Sequence, residues 1–177
     1  MNPVAIAASD PLGNKAPFDD LNFDIWAFNG WARNSTPRLS AAFQMHRPGG
    51  YLCHGQGYLD WLRNLEVPVY MRQKRAEFPT SIAYPFEEVF EMTKNVRQGF
   101  KGLEGLRWLT SSISMAIALA VLQERPRIDV YGVEMQETTE YKKQRECYTF
   151  WTGFAGGRGI ELNIYCGNNI FRKEIYE

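Results

Sequence analysis

Six short, apolar-rich runs, each stopped by a polar turn, constrain the fold of this chain more than any other feature of its sequence. They are Val4–Ala8, Asp24–Phe28, Ser40–Met45, Val67–Met71, Arg127–Tyr131 and Ile160–Tyr165. Runs of this length and composition suit strands buried on both faces of a sheet. Ser81–Tyr84 reads as a short extra strand or extended loop. Helical stretches fall between them. Gln56–Asn64 carries Tyr58, Leu59 and Leu62 on one stripe, and Glu87–Thr93 forms a short helix. Ile113 to about Gln123 is apolar nearly all round, so it belongs at the centre of the molecule. Thr139 opens a long helix that Gly156-Gly157 ends. Strands separated by helices imply parallel crossovers. The expectation is α/β: a three-layer Rossmann-like sandwich with a mostly parallel sheet, in one domain over residues 1–177.

Two segments are expected to lack regular structure. His46-Arg47-Pro48-Gly49-Gly50 should stop either element. Lys94 to Gly105, with three glycines, reads as a loop.

Charge narrows the function. Twenty basic residues balance twenty acidic ones, which argues against general nucleic-acid binding, since that needs a positive excess. Cys53, Cys147 and Cys166 show neither a metal-ligand spacing nor a disulfide framework. Reduced thiols imply a cytoplasmic protein. The first ten residues lack the flank and apolar stretch of a signal peptide. The longest apolar run, Ile113–Leu122, is too short to span a bilayer, so no membrane partner is expected.

In open α/β sheets ligands bind outside the carboxyl ends of the strands. That rule selects Ser9 to Asn14, Asn29, Gln44 to Arg47, Arg72 and Tyr131 to Met135. The first loop, Ala8-Ser9-Asp10-Pro11-Leu12-Gly13-Asn14, is neither G-x-G-x-x-G nor a P-loop, and strand two ends in Asn29 rather than an acidic residue. Both facts argue against NAD or FAD, and no cofactor is expected. The loop is either a plain turn or a contact for phosphate or sugar through Ser9, Asp10 and backbone N–H groups. Asn29 either hydrogen-bonds a base or ribose or terminates the strand beside Gly30. His46, beside Gln44 and Arg47, is either a general base or a structural histidine. His54 and Cys53 lie near it, but no fourth ligand stands at zinc spacing. Arg72, Lys74 and Arg75 either hold an anion or form a solvated basic loop. Ser111 and Ser112 open the apolar helix, as a phosphate site or a simple cap. Glu134 follows strand five. Glu140-Tyr141-x-x-Gln144-Arg145 opens the next helix, where Tyr141, Gln144 and Arg145 contact a nucleotide or acceptor, or belong to a capped amphipathic helix.

Several segments together carry a resemblance. In order they include Ile25-Trp26-Ala27-Phe28-Asn29, Phe43-Gln44-Met45-His46, Thr110-Ser111-Ser112-Ile113, Tyr131-Gly132-Val133-Glu134-Met135 and Glu140-Tyr141-x-x-Gln144-Arg145. This series resembles a group of small Rossmann-like proteins of bacteriophages and prophages. More distantly it is similar to the 6-hydroxymethylpterin diphosphokinase-like and motility-accessory-factor family, and to family-42 sialyltransferases. The resemblance implies a nucleotide or nucleotide-sugar ligand at the strand ends, with Asn29 and His46 as analogues of an asparagine and a catalytic histidine.

The first expectation is therefore a nucleotide-sugar-dependent, glycosyltransferase-like transferase of phage type. His46 is its base, and Arg72 or Arg145 offsets charge on the leaving phosphate. With no Asp-x-Asp motif, no essential metal is expected. A non-catalytic nucleotide-sequestering protein, a nucleotide hydrolase and a structural interaction protein are the alternatives. The last predicts no polar convergence at the strand ends. Five Trp and nine Tyr are compatible with a homodimer.

Overall fold

The carboxyl edge of a seven-stranded sheet organises the chain. The computed structural model describes residues 1–98, 108–133, 135 and 139–166. The strands are β1 Val4–Ala7, β2 Asp24–Phe28, β3 Ala41–Gln44, β4 Val69–Met71, β5 Ser81–Ala83, β6 Arg127–Tyr131 and β7 Glu161–Tyr165. Their order is β5-β4-β3-β2-β1-β6-β7. Every pairing is parallel, so the sheet is wholly rather than mostly parallel. The chain builds outward from β1 to β5, then returns to the other side of β1 for β6 and β7. The switch point lies between β1 and β6, where Val4 pairs with Ile128 and Ala7 with Tyr131.

Strand residues alternate between two apolar layers. Val4, Ile6, Trp26, Phe28, Phe43, Ile128 and Val130 pack on one face with α6 (Ser112–Leu122) and α7 (Thr139–Gly157). On the other face, Ala42, Val69 and Met71 pack under α3 (Gln56–Asn64) through Tyr58 and Leu62. Ala5, Ala7 and Ile25 form a smaller cluster there. Residues 114–121 of α6 are all buried, as its uniform apolarity requires.

One polar group inside the sheet needs partners. Asp129 is fully buried, and Arg127 donates to both its oxygens at 2.7 Å. Asn163 adds a third bond at 3.0 Å. The bidentate fork neutralises the carboxylate where water cannot reach it.

Three segments depart from the sequence expectation. Asn29 does not simply stop β2: it begins α1 (Asn29–Ser35). Pro48-Gly49-Gly50 starts a short helix, α2 (Pro48–Leu52), instead of forbidding one. Proline at the first helical position gives up an N–H that has no helical partner there. Gly50 is required for packing, because a Cβ on it would lie 2.9 Å from the His46 Cβ. Lys94–Gln98 is helical as α5, following α4 (Phe86–Met92). Its five residues contain none of the glycines that made the stretch read as a loop. The remainder of that expected loop, 99–105, lies outside the described residues.

Candidate functional site

Five adjacent strands deliver five residues to one edge of the sheet. In spatial order these are Arg72 after β4, His46 after β3, Asn29 after β2, Ser9 after β1 and Gly132 after β6. Strand spacing makes the row about 19 Å long. All five line one cleft of about 610 Å³, together with Ser111, Ser112 and Gln144. No Asp or Glu is among the described residues on its walls, and Arg72 brings a positive charge.

The floor at the switch point depends on close backbone approach. The Ala8 N–H donates to the Tyr131 carbonyl at 2.9 Å, and the Asp10 N–H donates to the Gly132 carbonyl at 3.2 Å. Gly132 has φ +67, and a Cβ there would stand 2.3 Å from the Gly13 nitrogen. Only glycine satisfies both conditions. Asp10 itself does not line the cleft. Its carboxylate accepts from the Leu12 N–H at 3.0 Å and caps the 3-10 helix Pro11–Lys15.

Asn29 occupies the left-handed region at φ +49. Its Oδ1 is buried and, among the described residues, has no hydrogen-bond partner. A buried acceptor without a donor costs about 1–3 kcal/mol. Strain and an unmet acceptor coincide at one residue on the cleft wall, which fits a group held ready for a ligand donor.

His46 is exposed to the cleft, and its ring is tied from behind. The Gln44 Oε1 lies 3.1 Å from His46 Nδ1 and accepts from the His46 backbone N–H at 3.2 Å. A backbone N–H is only a donor, so the atom facing it must be the amide oxygen. Gln44 Nε2 then donates to the Tyr58 hydroxyl at 2.7 Å. Gln44 and Tyr58 are both buried. The backbone N–H fixes the amide orientation, so Nδ1 carries a hydrogen and, in the neutral ring, the lone pair stands on Nε2. Burial pushes the Tyr58 phenol up to about 12, with the Gln44 hydrogen bond opposing. Gln44, expected to touch nucleotide, instead lies behind His46.

The remaining candidates divide. Ser111 caps α6, accepting from the Ser114 N–H at 3.2 Å, and still lines the cleft beside Ser112. Arg145 donates to the Met135 carbonyl and is absent from the cleft wall, so it braces the segment after β6. Glu134 and the Tyr141 side chain lie outside the described residues. His54 lines the cleft and sets its ring edge-on to Tyr58, 5.0 Å between centroids. Sequence reasoning missed Trp31, which also lines the cleft, and the support from Tyr58. The first was hidden because α1 was not anticipated. Tyr58 was counted only as part of an apolar stripe.

Among the described residues no group of three or more His, Cys, Asp or Glu could hold a metal ion. No described helix is long and apolar enough to cross a membrane.

No family model matches the chain, and no curated protein matches it. Solved structures do. The sialyltransferase CstII from Campylobacter jejuni, in complex with cytidine-5'-monophosphate (CMP), matches over 95% of this chain and 81% of its own, with TM-score 0.58 and 18% identity. The same enzyme with CMP-3FNeuAc gives TM-score 0.60 and 14% identity over 95% and 82%. An alpha-2,3-sialyltransferase from Campylobacter jejuni in apo form gives 0.53 and 14% over 99% and 77%. Of the resemblances drawn from the sequence, that to the sialyltransferases is the one these structures support. The likeness shows the fold: a Rossmann-like α/β sandwich shared along nearly the whole chain.

Proposed function

We infer that this chain is a nucleotide-sugar-dependent glycosyltransferase, with its donor in the cleft at the strand ends. The observation that carries the reading is His46. Its Nδ1 is committed to a buried amide, which puts the lone pair of the neutral ring on Nε2, and it lines a cleft with no carboxylate among the described residues. That is the arrangement a general base needs. A structural histidine would have no reason to keep one nitrogen free at a ligand-sized opening. The polar convergence also speaks against a purely structural interaction protein.

Asn29 Oδ1 accepts from a donor group on the nucleotide. Ser9, Ser112 and the first N–H groups of α6 face the phosphate, where the helix N-terminus favours negative charge. His46 Nε2 removes the proton of an acceptor hydroxyl as that oxygen attacks the anomeric carbon of the sugar. Arg72 offsets the charge that builds on the departing nucleotide phosphate. The CMP and CMP-3FNeuAc held by structures of similar fold support a cytidine monophosphate sugar as the first donor to try.

The test is native mass spectrometry and thermal shift against nucleotides, nucleotide sugars and cyclic dinucleotides. The expected result is binding of a nucleotide sugar with slow release of its nucleotide. Tight retention of an unaltered nucleotide would replace this reading with the sequestering one.

A further inference from the structure

A second cleft, of about 420 Å³, opens between the exits of β3 and β4. His46 and Arg72 line both clefts, so the two meet at the proposed base. Arg47 and Arg75 join Arg72 on the walls of the second, and no Asp or Glu does among the described residues. Three arginines thus line one small concavity.

Several arginines elsewhere are tied down. Arg38 donates to the carbonyls of Phe18, Asp20 and Phe23. Arg125 pairs with Asp24, and Arg127 with Asp129. Among the described residues, none of the side chains of Arg47, Arg72 and Arg75 makes a hydrogen bond or ion pair. Arg72 has only a ring beneath it, Phe86, 6.0 Å from the guanidinium carbon to the centroid. Arg75 is nevertheless held in place. Its N–H donates to the Ser81 Oγ at 2.9 Å, and that hydroxyl donates back to the Arg75 carbonyl at 2.8 Å. Ser81 is buried, so the loop after β4 is anchored while its charges stay open. Like charges lining one cleft repel, and an oxyanion relieves that repulsion. The guanidinium fork fits a carboxylate or phosphate through two parallel hydrogen bonds.

We propose that the second cleft is the acceptor subsite and that it takes a sugar carrying a carboxylate or a phosphate. This rests on the nucleotide-sugar reading of the first cleft. Arg47 and Arg75 hold the oxyanion, which sets a hydroxyl of the same sugar beside His46. That oxygen forms its bond to the anomeric carbon of the donor. The bond from that carbon to the phosphate oxygen breaks, and its electron pair leaves with the nucleotide. The proton passes to His46 Nε2 and then to solvent.

The experiment is calorimetric titration of the whole protein with glucose 6-phosphate, glucuronic acid and glucose, each with and without saturating CMP. Either charged sugar is expected to bind where glucose does not, and which of the two binds more tightly tells phosphate from carboxylate. Arg47→Gln and Arg75→Gln are each expected to weaken that binding about tenfold while leaving CMP affinity unchanged. Glucose binding as well as the charged sugars overturns the proposal. So does displacement of the charged sugar by CMP, or unchanged binding by both variants. If CMP itself does not bind but the charged sugars still depend on Arg75, the nucleotide reading fails and the anion site stands.

Discussion

The side-chain oxygen of Gln44 lies 3.1 Å from Nδ1 of His46 and also accepts from the His46 backbone N–H. This pair decides which face of the imidazole can do chemistry. Replacing Gln44 with Leu removes the acceptor without opening a large void. His46 then samples the tautomer protonated on Nε2, and turnover is expected to fall about tenfold or more. Long-range proton–nitrogen correlation spectra report the tautomer directly. Wild type should show Nδ1 protonated, and Gln44→Leu a mixture. An unchanged tautomer in the variant would remove Gln44 from this role.

Asn29 separates binding from folding. Glycine accepts φ +49 without strain. Asn29→Gly should therefore leave urea stability unchanged or raise it by about 0.5–1 kcal/mol. Nucleotide affinity should drop about tenfold, since the unpaired Oδ1 is lost. Equal affinity in the variant would mean that Oδ1 meets no ligand.

Gly132 is a point of backbone contact. Alanine there meets both a positive φ and the Gly13 nitrogen. A loss of about 2–3 kcal/mol is expected from urea unfolding, with the first loop displaced. A variant as stable as wild type would contradict the close approach.

Arg127, itself a third exposed, pairs with the fully buried Asp129. Arg127→Leu leaves that carboxylate uncompensated by charge, with Asn163 still donating to it, at a cost of about 3 kcal/mol. The cleft lined by Gly132 lies at the opposite end of β6, so nucleotide affinity in the folded variant is expected to be unchanged. Chemical denaturation and calorimetry check the two halves of that statement separately.

Tyr58 gives a dependence on alkaline pH. Burial raises its phenol from 10.0 to about 12, so the fold favours the neutral form. That stabilisation is whole below about pH 10 and is lost as pH rises toward 12. Tyr84, Tyr131 and Tyr148 are pushed up by burial as well and act in the same direction. Wild type should lose stability across this window. Tyr58→Phe should start lower at pH 8, having lost the partner of Gln44, but decline less steeply. Parallel slopes would show that Tyr58 ionises without penalty.

The sequence made the sheet legible because strands buried on both faces leave little room for any other pattern. Val4–Ala7 and Arg127–Tyr131 are apolar-rich, short and bounded by turns. The helix Ser112–Leu122 was legible for the same reason. Asn29–Ser35 was not, since its seven residues carry no apolar stripe and begin with an asparagine in the left-handed region. Placement at the strand ends brought out Ser9, Asn29, His46 and Arg72, because parallel topology sends every exit to one edge. It did not separate residues that face the cleft from those behind it. Gln44 and His46 are two residues apart and equally polar, yet Gln44 ends β3 buried against Tyr58, while His46 lies past the strand end and stays open. Asp10 and Arg145 were drawn off by nearby backbone groups, a competition invisible without coordinates.

In the proposed reaction His46 takes a proton from an acceptor while the nucleotide half of the donor sits in the neighbouring cleft. The most direct measurement compares wild type and His46→Ala in the presence of a CMP-sugar and a charged acceptor sugar, following both CMP release and donor affinity. The account predicts equal affinity and a loss of turnover of about 10²–10⁴ in the variant. A variant that turns over at the wild-type rate, or a wild type that never binds the donor, contradicts it.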